Sequence, residues 1–448
     1  MDDVGPRAAH GLAHLPGAEA AGEHRGAGAR PAERRARALQ HLDAVPVLAQ
    51  ESRDLGHGAL LATGRAISVV QDQYVHGRPD DMPPALVTNY IPPYRAPLYR
   101  LLAERYGVEV FCFGGEARYV AGHHRELERQ VAEAPFPAHV LRHERDAARL
   151  GRDHSAVIAP IAGRVALPAA WVGARRARRP FLLWASLWRH PLTPAHLVSF
   201  ALMRRLYRRA DAVLAYGEHV ARYVERHRGS GRSVFVAPQA VEADLFGRRV
   251  DEVERATWRE SVGIPPGVPL ALYVGRLVPE KGVETLLGAW AAARRGGAVL
   301  CLAGEGPLRG RGAGADVTYA GHVERAALPA AYAAADLVVV PSLATRAFLE
   351  PWGLVCNEAM HQGRAVVATG AVGAAAGGLV RDGETGLVVG PGDRDALAEA
   401  IRALLADASL RERLGAAGRE AVAAFSHEAA ADAFGDALRA VGAQVEPP

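Results

Sequence analysis

From Ala85 onward the chain alternates short apolar runs with longer amphipathic ones. ALVTNY opens the series as a buried strand, PLYRLLAERYG follows with helical spacing and ends on Gly107, and VEVFCFGG is the next strand. Continuous hydrophobicity marks strands covered on both faces, and strands separated by helices mark a parallel sheet. AVIAP, FLLWAS, DAVLAYG and SVFVAP continue the pattern, with helical stretches over 194–209 and 218–226 between them. After Val241 the chain turns polar through GRRVDEVERATWRESVGIPPG, read as a linker and a helix, and the strand grammar then restarts. LALYVG, a helix over 282–294, AVLCLAG, VTYAG, a helix over 326–334 and DLVVVPS are followed by a helix over 353–362, AVVATG, GLVVG and a helix over 393–405. The pattern predicts two doubly wound, Rossmann-like α/β domains, 82–250 and 251–426, with a terminal helix and tail over 427–448 that suits either domain. Ligands of open α/β sheets bind beyond the carboxyl ends of the strands, so two such domains facing each other put the site in the cleft between them.

Residues 1–81 break this pattern. They hold one aromatic residue, Tyr74, against 27 in the rest of the chain, and six of the 18 histidines. Such a composition buries little and predicts disorder; Met82 is the expected natural start. No apolar run approaches the length of a membrane span, and the beginning lacks the build of a signal peptide. Cys112, Cys301 and Cys356 lie far apart in apolar surroundings, which encodes neither a disulfide framework nor a zinc cluster and suits a reducing cytoplasm.

The formal charge is only +4, yet residues 175–232 carry thirteen arginines against Asp211, Glu218 and Glu225. Trp184, Trp188 and Tyr207 interleave with them. This local field suits a peripheral position on the anionic inner face of a membrane or a lipid-phosphate acceptor, and equally a solvated face in an arginine-rich chain. No nucleic-acid motif accompanies it, so no nucleic-acid partner is expected. Among the 53 basic residues there is a single lysine, Lys281. A site that needs a compact ammonium on a flexible stem has this appearance.

Three clusters fall at the ends of strands in the second half. Gly275-Arg276-Leu277-Val278-Pro279-Glu280-Lys281-Gly282 follows LALYV and precedes a helix, where backbone N–H groups and the helix dipole favour an anion such as a diphosphate. Glu350-Pro-Trp352-Gly353-Leu354-Val-Cys-Asn-Glu358 follows DLVVVPS. Glu350 lies in the loop and Glu358 inside the next helix. Gly353 admits close backbone approach, the Gly353 and Leu354 amides open the helix, and paired carboxylates suit the hydroxyls of a sugar or ribose. The third cluster, Gly304-Glu305-Gly306-Pro307, misses the spacing of a dinucleotide fingerprint and reads as a tight turn. The Lys281 loop is no phosphate-binding P-loop, since no Ser or Thr follows the lysine. Asp393-Arg394-Asp395 lies at a helix start, where aspartate is a cap.

These motifs carry a family resemblance. VGRLVPEKGVETLL, LAGEGP, YAGHV, LPAAYAAADLVVVPS, EPWGLVCNEAM and GRAVVATGAVGAAAGGLVRDGETGLVVGPGD together resemble the donor-binding domain of the retaining glycosyltransferases of family 4, also called group 1, which have the GT-B architecture. The first half is similar more loosely, through TNYIPPYRAPLYRLL, DAVLAYGEHVARYV and VFVAPQAVEADLF. The resemblance implies transfer of a sugar with retention from a GDP- or UDP-linked donor to a glycan, lipid or small-molecule acceptor, with no cofactor and no metal. It implies that Arg276 and Lys281, beside Gly275, hold the donor diphosphate. Glu358 would then hold the ribose, and Glu350 with Trp352, Gly353 and Leu354 the transferred sugar. His190, in FLLWASLWRHP, resembles a histidine that such enzymes place near the reacting sugar; a lone histidine beside proline is as readily a capping residue. One departure is plain: where many relatives have a Gly-Gly loop after the first strand, this chain has Tyr90-Ile-Pro-Pro-Tyr94-Arg95, which implies different acceptor handling. A nucleotide-sugar epimerase or glycogen-type synthase of the same architecture, and a noncatalytic sugar-nucleotide-binding module, are the alternative readings. A glycosidase use of the two acids lacks a role for the neighbouring cations, and a nicotinamide oxidoreductase lacks its glycine fingerprint. The base, the sugar and the acceptor are not encoded in these motifs.

Overall fold

The computed structural model describes residues 82–114, 123–294 and 296–443. The expectation of disorder over 1–81 lies outside the described residues, as does the end of the tail. Within them the chain builds two parallel sheets. The first has β1 (Ala85–Thr88), β2 (Glu109–Cys112), β3 (Ala138–Val140), β4 (Val157–Pro160), β5 (Phe181–Ala185), β6 (Ala212–Ala215) and β7 (Val234–Val236), in the order β3-β2-β1-β4-β5-β6-β7. The second has β8 (Leu270–Val274), β9 (Val299–Ala303), β10 (Val317–Gly321), β11 (Leu337–Val340), β12 (Ala365–Thr369) and β13 (Leu387–Val389), in the order β10-β9-β8-β11-β12-β13.

The largely apolar strand segments explain the architecture. β1, β4, β5, β6, β9, β11 and β12 are buried along their whole length, because helices cover both faces of each sheet. In each sheet the strand order reverses beside the strand that comes first in the chain, β1 and β8. A ligand crevice opens at such a switch point, so the loops leaving β1 and β8 are the two that geometry marks. Among the described strands β3 alone escapes the sequence pattern: three residues at a sheet edge, preceded by Pro135 and Pro137, are too few to show a period.

The core of the first domain runs from Ala85 to Ala237, and that of the second begins at Val241. The terminal helix His427–Ala440 returns to the first domain. Its Phe434 is fully buried edge-on to Trp184, 5.1 Å between ring centres, and His427 Nε2 lies 2.9 Å from the Tyr94 carbonyl. The arginine-rich region divides in two. Arg228 donates to the carbonyls of Tyr207 and Ala210, and Arg222 to that of Ala376 in the second domain, so these are structural. Arg204, Arg205, Arg208 and Arg209 stay exposed on the helix Pro194–Arg209. No helix among the described residues is long and apolar enough to cross a membrane.

Candidate active site in the interdomain cleft

The loop after β8 is set by interlocking glycines. Leu277 N–H donates to the Glu305 carbonyl at 2.8 Å, and Leu308 N–H donates back to the Leu277 carbonyl at 3.1 Å. A Cβ on Gly304 would stand 1.9 Å from the Gly275 oxygen, and one on Gly306 would stand 2.4 Å from that of Leu277. The GEGP run is thus the backbone floor on which the Lys281 loop rests, not a nucleotide fingerprint. Arg276 leaves this floor beside Glu280, with 3.5 Å between Nη2 and Oε1, and its carbonyl accepts from the Tyr273 hydroxyl at 2.7 Å.

Pro279–Lys281 form one tight helical turn, and Gly282 then passes against the end of β11 with φ 74°. That packing carries the Lys281 ammonium onto the Glu350 carboxylate, 69 residues further along the chain, in a direct ion pair. Ser342, just beyond β11, donates to the same carboxylate oxygen at 3.1 Å, and the Phe348 ring centre lies 5.4 Å from Nζ. Glu350 is buried. A buried carboxylate with two donors on one oxygen is fixed in orientation, which suits a group that must aim at a ligand.

Glu358 sits on the helix Val355–His361, buried, with Oε2 accepting from the Tyr332 hydroxyl. Burial holds its carboxyl above the usual carboxylate range, opposed by the Tyr332 hydrogen bond and the charge of Arg325. Arg325 itself pairs with Glu242 and lies 5.1 Å from the Phe246 ring centre. The Cys356 thiol, pushed up by burial, also feels Glu350, Glu358 and Lys281, and the buried Tyr273 phenol feels Glu350, Arg276 and Glu280. Lys281 and Glu350 therefore meet directly, while Arg276 pairs with Glu280 and Glu358 with Tyr332 on either side of them. The helix carrying Glu358 has only seven residues, so its dipole adds little to any anion site at Gly353 and Leu354.

The loop 342–352 is held from the first domain as well. The Trp188 indole donates to the Glu350 carbonyl at 3.0 Å, Arg189 donates to the carbonyls of Thr345 and Phe348, and Leu192 N–H donates to that of Arg346 at 2.7 Å. His219 Nε2 lies 3.0 Å from the Pro351 carbonyl, its ring tilted 38° to Trp352. Burial, seconded by the Arg222 charge, lowers the His219 pKa to about 4, so the ring is neutral and Nε2 is the donor. Trp352 donates to Asn357 Oδ1 at 2.7 Å, and Asn357 donates to the Gln239 carbonyl at 2.9 Å. Sequence reading missed Arg189, His219 and Ser342, and used Trp188 only as an aromatic in the basic run. Their common signal is position just after a strand end, visible once the strands are placed.

His190 is placed differently from these neighbours. Its Nε2 lies 2.6 Å from the His196 carbonyl and its ring rests on Phe200, 4.8 Å between centres. These contacts tie it within the segment 188–200. Asp393 caps the helix Arg394–Ala406, accepting from Ala396 N–H at 3.0 Å. Among the described residues no group of three or more His, Cys, Asp or Glu side chains has the arrangement of a metal site.

Two parallel-sheet α/β domains enclosing such a cleft are the GT-B architecture. Anabaena HepE, solved with UDP-glucose, superimposes with a TM-score of 0.63 at 22% identity, covering 80% of this chain and 99% of that one. Sucrose-phosphate synthase from Thermosynechococcus elongatus does so with a TM-score of 0.60 at 25% identity, covering 81% and 99%. Residues 254–421 match the family described as Glycosyl transferases group 1. Alpha-D-kanosaminyltransferase of Streptomyces kanamyceticus is 35% identical over 211 residues, 45% of this chain and 53% of the relative. The GDP-mannose-dependent alpha-(1-6)-phosphatidylinositol monomannoside mannosyltransferase of Mycobacterium tuberculosis is 32% identical over 239 residues, 51% and 61% respectively. The chain thus spans between half and two thirds of the length of these curated relatives.

Proposed function

We propose that this chain is a retaining group 1 glycosyltransferase of family 4, moving a sugar from a GDP- or UDP-linked donor to a glycan, lipid or small-molecule acceptor. The observation that carries the reading is the meeting of Lys281, Glu350 and Ser342 beside the switch point of the second sheet. The similarity of residues 254–421 to the group 1 family and the fold shared with HepE support it. In glycosyl transfer, positive charge spreads over the sugar ring while negative charge grows on the departing diphosphate. Arg276 and Lys281 would stabilise that leaving group electrostatically, with no divalent ion required. A bound diphosphate would draw Lys281 away from Glu350 and free the carboxylate for the sugar hydroxyls. Glu358 would take the ribose, its carboxylate oriented by the Tyr332 hydroxyl.

The test is calorimetry against a panel of GDP- and UDP-sugars, followed by product analysis of the anomer formed, with and without EDTA. Binding of one donor and a retained anomer at an EDTA-independent rate are expected. Failure of every donor to bind, or the same binding in Lys281→Ala, refutes the reading. We further place the chain at an anionic membrane surface, because Leu197 and Val198 are exposed on the same helix as Arg204, Arg205, Arg208 and Arg209. Flotation with anionic but not neutral vesicles is expected; equal recovery removes the idea.

A further inference from the structure

The loop leaving β1 holds the other switch point, and it ends in Arg95. Arg95 and Ala96 donate their N–H groups to the Pro92 carbonyl, at 2.9 and 3.2 Å, which closes a turn over Pro93–Arg95. That turn directs the guanidinium across the ends of β5 and β6. Its carbon lies 4.1 Å from the Trp184 ring centre, 5.2 Å from that of Tyr216 and 5.6 Å from that of Tyr94. Nη2 donates to the Tyr216 hydroxyl. Nε is buried with no hydrogen-bond partner, although the residue as a whole stays partly exposed.

No carboxylate among the described residues pairs with this guanidinium. The groups that act on it are the phenols of Tyr216, Tyr94 and Tyr99. Burial raises the Tyr216 phenol and pushes Tyr99 up to about 12, so both are neutral at physiological pH. A guanidinium does not lose its proton under such conditions. The π faces of the cage offset part of the cost of burying it, but a partly exposed cation with no carboxylate partner asks for an oxyanion. The place also lies beside the Glu350 loop. Tyr216 is followed by Gly217, whose backbone packs against Trp352 so closely that a Cβ would come within 2.9 Å of the indole. The cage therefore adjoins the wall of the Glu350 loop from the first-domain side.

We propose that Arg95 and its aromatic cage form an anion subsite that holds a phosphate or carboxylate group of the sugar acceptor. The acceptor assignment rests on the glycosyl-transfer reading above; the anion site itself does not. The guanidinium fork pairs with oxyanion oxygens and so selects for the charge of the acceptor, while the tyrosines and Trp184 shield the faces they cover. The cage fits the departure of this loop from the Gly-Gly form.

The test uses the full chain with Arg276→Ala and Lys281→Ala, which removes the donor cations, titrated calorimetrically with inorganic phosphate and separately with acetate. One-site binding of at least one anion is expected, and adding Arg95→Met weakens it at least tenfold, with Arg95→Lys between the two. A response to phosphate alone assigns a phosphoryl group, and a response to acetate as well assigns oxyanions in general. No response to either, or undiminished binding in Arg95→Met, overturns the proposal. If Arg95→Met does not fold, unchanged anion affinity in Arg95→Lys overturns it instead. In the otherwise native chain Arg95→Met raises KM for the acceptor several-fold and leaves nucleotide-sugar affinity as it was. Loss of donor binding in Lys281→Ala is a separate readout, so failure of one reading is not mistaken for failure of the other.

Discussion

Gly282 joins the fold to the chemistry, and its replacement by alanine has a calculable effect. Its backbone is left-handed, φ 74°, and a Cβ there would stand 1.9 Å from the Pro341 carbonyl oxygen. Gly229 has nearly the same backbone, φ 79°, and an added Cβ meets nothing within 4 Å. Alanine at Gly229 therefore carries only the left-handed penalty of about 1–2 kcal/mol. Alanine at Gly282 carries that penalty plus an overpacking cost of about 1–3 kcal/mol, because the obstacle is backbone rather than the end of a flexible side chain. The strain is relieved by moving the Lys281 turn away from β11, so nucleotide-sugar affinity falls at least tenfold in Gly282→Ala and is unaffected in Gly229→Ala. Urea unfolding followed by far-UV circular dichroism measures the first difference, and calorimetric titration with the donor measures the second. Equal destabilisation of the two variants, or a destabilised Gly282→Ala that binds donor as the native chain does, refutes the reasoning.

Further outcomes test other parts of the site. Glu350→Ala is expected to abolish transfer while circular dichroism stays native; substantial residual turnover contradicts the role given to this acid. His219 is neutral in the fold with its pKa lowered to about 4, against an unfolded value near 6.5. Its contribution to stability is therefore complete above pH 6.5 and is lost as pH falls from 6.5 toward 4, where the unfolded chain binds the extra proton. Its unpartnered Nδ1 leaves a buried imidazolium uncompensated beside Arg222, so His219→Gln should flatten the stability profile in that window; an unchanged profile argues against it. Asp393→Ala removes a helix cap and should lower stability by about 1 kcal/mol with transfer intact, whereas a loss of turnover assigns this acid to the chemistry. Trp188→Phe deletes the hydrogen bond to the Glu350 carbonyl and should raise donor KM with little change in folding; an unaltered KM means the loop is held without it.

Much of this protein is written locally. Parallel strands are legible because both faces are covered and the central residues of ALVTNY, LALYV and DLVVVPS are apolar; helices are legible from their period and from stops such as Gly107. The uniqueness of Lys281 and the carboxylates at 350 and 358 also stand out within short windows, because their meaning depends on being just past a strand end. What the windows do not hold is who meets whom. That the GEGP glycines form the floor of the Lys281 loop depends on β8 and β9 lying side by side. The ion pair between Lys281 and Glu350 depends on β11 being the other neighbour of β8, and both adjacencies are properties of strand order. The packing of the last helix on the first domain, the ties of His190 to His196 and Phe200, the grip of Trp188, Arg189 and His219 on the 342–352 loop, and the solitary charge of Arg95 among rings are decided the same way. Each is a contact between segments far apart in the chain, fixed by burial and close packing at the cleft rather than by the residues on either side of it.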